Sequence, residues 1–390
     1  MFTYEISVTN ECNLDCYFCF ACNKTEKGCL TLDNFVKGYE MVKKLKDPDE
    51  QVFIKMYGGE PLLYKDRVLK YLEYMLDNYK HDNFYIALIT NGTLLTEEFV
   101  TRVKDLQDRG LNIFFNISME VCKDVHNKIR CFKESKNGTF DLIIGNIRKM
   151  NKILGHRASV QSVMSPEFLM NIDNYIKFIE EHKDLAVFNV VPMFDETFEN
   201  VDRCLLNNMT KLFDYYIDAY KKHDCYHVGI FQSLRALCGS FNLVNKTYCT
   251  AGHRQLSILP NGDLYPCVNF YHNGKTNYKY GNVKDEPIDN YNKYRNFFLN
   301  STTHGSKCVW CQTQFKFGCL GQCIANMSKF DNKLLPWVCD YNKMFGLNSM
   351  RLKYELSGNT EFLQEVNKYD TVKVPEFHSE FMKYIKNEMM

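Results

Sequence analysis

The chain has 390 residues, 45% apolar and 24% charged, with a formal net charge of +1, a globular composition that excludes disorder and suits about two domains. Near-zero charge supplies no basic field for nucleic acid and no acidic tail. No run of about 18 apolar residues marks a membrane span, and no signal-peptide pattern precedes the strand-like start, so a cytoplasmic protein is expected.

From residue 1 to about 193 strand and helix patterns alternate. "TYEISVT" (3–9) reads as a strand and leads into a cysteine-rich loop. "TLDNFVKGYEMVKKLK" (31–46) places Phe35, Tyr39, Val42 and Leu45 on one face of an amphipathic helix. "QVFIKMY" (51–57) is a second strand, followed by the Gly58-Gly59 turn and a helix over about 65–79. "FYIALIT" (84–90) is nearly all apolar, as a strand buried on both faces is. After "NGTLL", Thr96 with Glu97 and Glu98 opens the next helix in capping style.

"LNIFFNIS" (111–118), "RASVQSVM" (157–164) and "LAVFNVVPM" (185–193) supply three more strands with helices between them. Six βα units predict a parallel sheet, either open and doubly wound or closed as a partial barrel. Both architectures put functional loops at the carboxyl ends of strands. The cysteine loop, the Gly-Gly turn and the Asn91-Gly92 turn all fall at such ends, which predicts one shared site. Residues 207–222 read as a bridging helix. From about 238 to 339 regular periodicity weakens, apart from a hairpin in "LSILPNGDLYPC" turning at Asn261-Gly262. "DYNKMFGLNSMRLKYE" and "PEFHSEFMKYIKNEMM" read as closing helices.

Seventeen cysteines in a reducing compartment point to metal more than to disulfides, the disulfide scaffold being the alternative. Cys12, Cys16 and Cys19 follow C-x3-C-x2-C. Soft thiolates at that spacing suit iron–sulfur clusters or zinc, and three of them leave one position open. Structural zinc with Cys22 as fourth ligand is the alternative. A second set comprises Cys249, Cys267, Cys308, Cys311, Cys319, Cys323 and Cys339, with Cys238 upstream. Cys22, Cys29, Cys122, Cys131, Cys204 and Cys225 follow no readable pattern, and free cysteines of that kind are usually small buried hydrophobes.

The cysteine trio after the first strand, Phe18 before its last cysteine, and "YGGEP" (57–61) after the second strand together resemble the radical S-adenosylmethionine (SAM) enzymes over about residues 3–193. The resemblance implies a partial (β/α)6 TIM-like barrel within the α/β class. It also implies a [4Fe–4S] cluster on Cys12, Cys16 and Cys19 whose fourth iron takes SAM, cleaved on reduction to a 5′-deoxyadenosyl radical. Gly58, Gly59, Glu60 and Pro61 would contact the SAM amino group, with Glu60 as acceptor for the ammonium. Ser118 would meet the ribose or carboxylate, Arg130 the carboxylate, and Asn91 lies in a similarly family-like "TNG". Where related enzymes often read S-I-D-G this chain reads "SME", with Glu120 at the aspartate position.

The later cysteines resemble the SPASM domain, a C-terminal cysteine-rich extension with two auxiliary [4Fe–4S] clusters, which would make three clusters in all. Its middle block here has seven residues where five are common. By the family's interleaved order, Cys308, Cys311, Cys319 and Cys339 would hold one cluster, and Cys249, Cys267, Cys323 and Cys238 the other. If Cys238 is only a buried thiol, that second cluster keeps an open iron. A pair of zinc sites is the alternative. The implied domains are a radical SAM barrel at 1–206, a bridging region at 207–237, a SPASM domain at 238–345 and a helical tail at 346–390.

This resemblance implies a peptide or protein substrate and an electron donor such as flavodoxin or ferredoxin, with no nucleic acid or membrane partner. Outcomes include a thioether, a carbon–carbon cross-link, or oxidation to formylglycine as in anaerobic sulfatase-maturing enzymes. Those enzymes usually place an aspartate directly after the "YPC" cysteine; here Val268 and Asn269 follow Cys267. "CTAGHRQLSILPNGDLYPC" is instead similar to thioether-forming peptide maturases. Many of those begin with a leader-binding domain; this chain begins at the first barrel strand, so any leader peptide is expected to be captured by another surface or by a separate leader-binding protein. Glu120, His126 and Tyr265 are the candidate general bases. A non-catalytic reading, an iron–sulfur electron carrier or zinc-stabilised scaffold, has no use for a SAM pocket.

Overall fold

The computed structural model describes residues 1–19, 21, 27–192, 203–229, 250–285, 288–300, 325 and 336–367. The expected closing helix at 375–390 lies outside them. The chain divides into two compact units, residues 1–161 with 249–301 and residues 162–248 with 302–390.

In the first unit the strand–helix alternation is β1 (Phe2–Ser7), α1 (Leu32–Leu45), β2 (Val52–Tyr57), α2 (Lys65–Tyr79), β3 (Phe84–Thr90) and α3 (Glu97–Asp108). It continues with β4 (Ile113–Ser118), α4 (Lys123–Ile129), α5 (Phe140–Leu154) and the start of β5 (Ala158–Met164). Side-chain caps mark the helix starts that the sequence announces. Thr31 accepts the Asn34 N–H at 3.1 Å, and Thr96 accepts that of Phe99 at 3.3 Å. Between β2 and α2, Pro61 opens a short 3-10 turn, where its missing N–H costs nothing.

The strands β1 to β5 pair in parallel, each with the next. Alternation sends one set of β1 side chains toward α1: the Tyr4 hydroxyl donates to the Phe35 carbonyl at 2.9 Å. Phe35 is fully buried and stacks on Tyr71 of α2 at 4.6 Å, with Tyr4 at 6.1 Å. This aromatic cluster seals the helical layer against the sheet.

The elements of residues 249–301 join the same sheet. The hairpin reads as expected: β7 (Gln255–Ile258) and β8 (Asp263–Tyr265) are antiparallel, and Gly262 has φ +89° at the turn. The sequence did not announce its partner. Strand β7 pairs in parallel with β1, Glu5 opposite Ser257, and a short β9 (Gly281–Asn282) follows β8. The first part of the cysteine-rich segment is thus built onto the edge of the barrel sheet, with α10 (Val268–His272) between β8 and β9 and α11 (Ile288–Asn300) after them.

The second unit holds the end of β5, then α6 (Pro166–Met170), α7 (Ile172–Glu181), β6 (Ala186–Pro192), α8 (Arg203–Asn207) and α9 (Met209–Lys221). It closes with α12 (Pro336–Glu355) and α13 (Thr360–Asn367). Helix α9 is the bridging helix read from the sequence. It packs on α12 and α13: Phe213 meets Phe345 edge-on at 5.7 Å and Tyr220 meets Phe362 at 5.6 Å. No helix among the described residues is long and apolar enough to cross a membrane.

Phe35→Ala removes a fully buried ring that both Tyr4 and Tyr71 touch. The expected loss is about 3–5 kcal/mol of stability, read as a lowered urea midpoint.

Candidate active site

The site grows from the carboxyl end of β1. Val8 extends the ladder, its N–H donating to the Tyr57 carbonyl at 2.7 Å. Two donors of the β2 turn then grip the chain: the Gly59 N–H reaches the Thr9 carbonyl at 2.7 Å and the Glu60 N–H the Glu11 carbonyl at 2.8 Å. So close an approach leaves no room for side chains. A Cβ on Gly58 would overlap the Thr9 carbonyl oxygen, and one on Gly59 that of Glu11. Gly58 also sits at φ +144°, open only to glycine. The cysteine loop itself therefore demands both glycines. From the other side, the Thr9 hydroxyl donates to the Gly28 carbonyl at 2.7 Å and the Gly28 N–H to Glu11 Oε1 at 2.8 Å.

Cys12, Cys16 and Cys19 follow, all partly exposed and none in a disulfide. The Leu14 N–H points at Cys12 Sγ at 3.4 Å, and Asn91 Nδ2 at 4.0 Å. That same Asn91 Nδ2 donates to Asn13 Oδ1 at 2.9 Å, while Asn13 Nδ2 donates to the Thr93 hydroxyl oxygen at 2.8 Å. The Asn-Gly turn after β3 is thereby stitched to the cysteine loop. Segment 131–133 clamps the loop's next residues: the Asp15 N–H bonds the Cys131 carbonyl at 3.0 Å and the Lys133 N–H the Asn13 carbonyl at 2.9 Å.

Glu60 points inward and is fully buried. Its Oε1 accepts the Leu62 N–H at 3.0 Å and the Thr90 hydroxyl at 2.6 Å, and its Oε2 the Asn91 N–H at 2.7 Å. The carboxyl that the sequence suggests as acceptor for a ligand ammonium is engaged instead in fastening the β2 turn to the end of β3. Burial pushes its pKa up to about 7, against the pull of Thr90, Asn91 and Leu62.

Arg130, at the end of α4, lies over the Phe18 ring with its guanidinium 5.0 Å from the ring centroid. Its Nε and Nη2 donate to Glu120 Oε1 at 3.2 and 3.0 Å, and both side chains are buried. Burial opposes the charge, but Glu120 and the thiols of Cys16 and Cys19 outweigh it and raise the Arg130 pKa. A permanent cation thus stands beside two cysteines. His126 braces it from behind. Its Nδ1 accepts the Glu120 N–H at 3.1 Å and its Nε2 meets the Thr139 hydroxyl at 2.9 Å. Thr139 in turn donates to the Arg130 carbonyl at 2.8 Å. Burial and then Arg130 push the imidazole pKa down to about 3, so the ring is neutral at working pH.

Of the three candidate bases, His126 has both ring nitrogens engaged and Glu120 is ion-paired. Tyr265, buried against Tyr271 at 5.9 Å, is a core side chain at the end of β8. Ser118 ends β4, half-buried, opposite Gln161. Sequence reasoning overlooked Asn13 and Thr93, polar residues in the loops after β1 and β3, and, away from this site, Glu5 with Lys55. A glutamate and a lysine at matching positions inside two apolar strands were the available signal.

The donor set fits an iron–sulfur cluster. Hydrogen bonds to sulfur and a neighbouring cation stabilise thiolate ligands. Among the described residues no three Cys, His, Asp or Glu side chains converge as ligands of one metal ion do; a four-iron cube takes each thiolate on a different iron. Of the second cysteine set, Cys267 is buried at the start of α10 and Cys339 is exposed on α12. Cys22, Cys238, Cys249, Cys308, Cys311, Cys319 and Cys323 lie outside the described residues.

The family model of the radical SAM superfamily matches residues 6–179, and that of the SPASM iron–sulfur cluster-binding domain matches residues 249–313. An uncharacterized protein of Methanocaldococcus jannaschii is 29% identical over 176 residues, 45% of this chain and 57% of that protein, so the chain spans little more than half of that relative. A cysteine-type anaerobic sulfatase-maturating enzyme of Clostridium novyi is 24% identical over 78% of this chain and 83% of its own length. Among solved structures, anSMEcpe with bound AdoMet superposes with a TM-score of 0.74 at 20% identity, covering 94% of this chain and 98% of that one. Streptococcus suis SuiB bound to S-adenosylmethionine superposes at 0.63 and 19% identity, covering 84% and 74%. The fold is therefore the radical SAM partial barrel.

Two outcomes follow from the geometry. Gly59→Ala forces the Glu11 carbonyl, and Cys12 with it, out of place; iron bound after reconstitution should fall while far-UV circular dichroism is kept. Glu60 holds its proton longer when folded than unfolded, so it makes stability fall as pH rises from about 4.5 to about 7, by roughly 1.4 kcal/mol per unit. Glu60→Gln should flatten that slope in urea denaturation followed across the window.

Proposed function

We propose that this chain, a radical SAM enzyme carrying a SPASM domain, abstracts hydrogen from a ribosomally made peptide and installs a cross-link, a thioether before a carbon–carbon bond. Cys12, Cys16 and Cys19 would hold a [4Fe–4S] cluster whose open iron takes SAM and so supplies a 5′-deoxyadenosyl radical. The chain's own residues bind and orient. Arg130 and the N–H donors at Cys12 would stabilise thiolate ligands once they hold the cluster. With Glu60 engaged inside the scaffold, an ammonium at the Gly58-Gly59 turn would be met by backbone carbonyls, while Asn91 and Ser118 border the same strand ends.

The domain division proposed is a radical SAM region at 1–206, a bridge at 207–237, a SPASM region at 238–345 and a tail at 346–390, with two auxiliary clusters on the later cysteines. An external electron donor and a separate leader-binding protein complete the proposal.

The observation that carries cross-linking over formylglycine formation is at Val268. The position after Cys267 is a buried valine, a side chain that cannot take a proton from a substrate; the nearby Glu5 carboxylate is already engaged, accepting the Val268 N–H at 3.1 Å. A second reading has its own support. The sulfatase-maturating relatives from Clostridium novyi and Clostridium perfringens match 78% and 86% of this chain, which favours oxidation of a cysteine to formylglycine.

Anaerobically reconstituted protein with dithionite and SAM should release 5′-deoxyadenosine, and Cys12→Ala should abolish it. A peptide product that has lost two hydrogens and a titratable thiol supports the cross-link; an aldehyde trapped by a hydrazide supports formylglycine. Release of no 5′-deoxyadenosine would overturn both, leaving an electron carrier or zinc scaffold.

A further inference from the structure

We propose that Glu5 is a positioning residue for the auxiliary iron–sulfur centre, fixing Cys267 against the first strand of the barrel through the Val268 N–H. The inference rests on the reading of Cys267 as a cluster ligand.

Glu5 lies mid-strand on β1. Its neighbour Tyr4 faces α1, so alternation places Glu5 on the opposite face of the sheet. It is 4% exposed, a depth at which a carboxylate needs partners. Lys55 Nζ lies 3.2 Å from Oε1. Onto Oε2 converge Gln255 Nε2 at 3.0 Å, the Ser257 hydroxyl at 2.5 Å and the Val268 N–H at 3.1 Å. Lys55 and Ser257 are the register partners of Glu5 on β2 and β7. One carboxylate therefore ties three adjacent strands to the first residue of α10.

Burial pushes the Glu5 pKa up, but Lys55, Ser257 and the Val268 N–H outweigh it and hold it below the ordinary range, so Glu5 is an anion. Charge-assisted bonds from this many donors leave it one rotamer. Cys267 is bonded directly to the residue so held, and it is itself 9% exposed in extended backbone. The Tyr57 phenol lies beside both Glu5 and Cys267; burial, then the two groups, keep it protonated. Tyr57 immediately precedes Gly58-Gly59. The strand that leads to Cys12 and the residue that leads to the glycine turn thus both bear on the surroundings of Cys267.

The proposal has two consequences. Loss of the Glu5 anchor releases the backbone at Cys267. Loss of its negative charge also favours the reduced, more negative form of a cluster held there, raising its potential.

The test uses the full chain, reconstituted anaerobically, with the auxiliary signals isolated by substituting Cys12, Cys16 and Cys19 with alanine. In that background Glu5→Gln should shift the auxiliary EPR signal and move its midpoint potential upward, or lose the signal. With the three cysteines restored, Glu5→Gln should still form 5′-deoxyadenosine at the wild-type rate without peptide substrate. Auxiliary signals and potential identical to wild type would overturn the proposal. If Glu5→Gln leaves Lys55 unpaired and the chain does not fold, Glu5→Gln with Lys55→Met removes both charges, and the same EPR shift is required of it. Cys267→Ala separates the premise: full auxiliary iron without that thiol removes Cys267 as a ligand, whatever Glu5 does.

Discussion

Everything at the candidate active site depends on how closely two loops approach. The turn after β2 donates the Gly59 and Glu60 N–H groups to the carbonyls of Thr9 and Glu11, and only glycine at 58 and 59 permits so close an approach. From Val8 to Cys19 the cysteine loop forms no helix or strand of its own. Its position comes from that pair of bonds, from the amides exchanged between Asn13 and the Asn-Gly turn, and from the clamp at 131–133. A loop pinned on three sides by neighbouring strand ends is more rigid than its lack of helix or strand suggests. Such rigidity is what metal ligands require.

Three glutamates are buried among the described residues, Glu60 and Glu120 at the candidate active site and Glu5 away from it beside Cys267, and each is compensated differently. Glu5 collects a lysine and three neutral donors and stays ionised. Glu60 has three neutral donors and, among the described residues, no paired cation, and burial pushes its pKa up to about 7. Glu120 is paired with Arg130, a cation that also faces Cys16 and Cys19. The difference lies in whether a cation is within reach, since neutral donors alone do not offset the loss of water around a carboxylate. His126, neutral and doubly hydrogen-bonded, is the brace that lets the Glu120–Arg130 pair keep its geometry.

The strand–helix alternation was legible because its periodicities are local. Strands β1 to β6 lie within two residues of their expected limits, and the Thr31 and Thr96 caps form where helix-starting chemistry places them. The roles of individual side chains were less legible. Glu60 reads as a ligand contact because of its motif, yet its carboxylate turns into the scaffold once Thr90 and Asn91 arrive from another strand. His126 reads as a base because histidine titrates near neutrality; burial removes that capacity.

By itself the sequence determined the βα succession, the three-cysteine loop at the end of β1 and the hairpin at Asn261-Gly262, because spacing, alternation and turn chemistry act over a few residues. Only the tertiary structure decided that β7 pairs with β1 and that the Glu5 carboxylate accepts from Gln255, Ser257 and the Val268 N–H. Those facts join residues some 250 positions apart, and pairing at that distance is set by which burial and hydrogen-bonding partners the whole fold brings together.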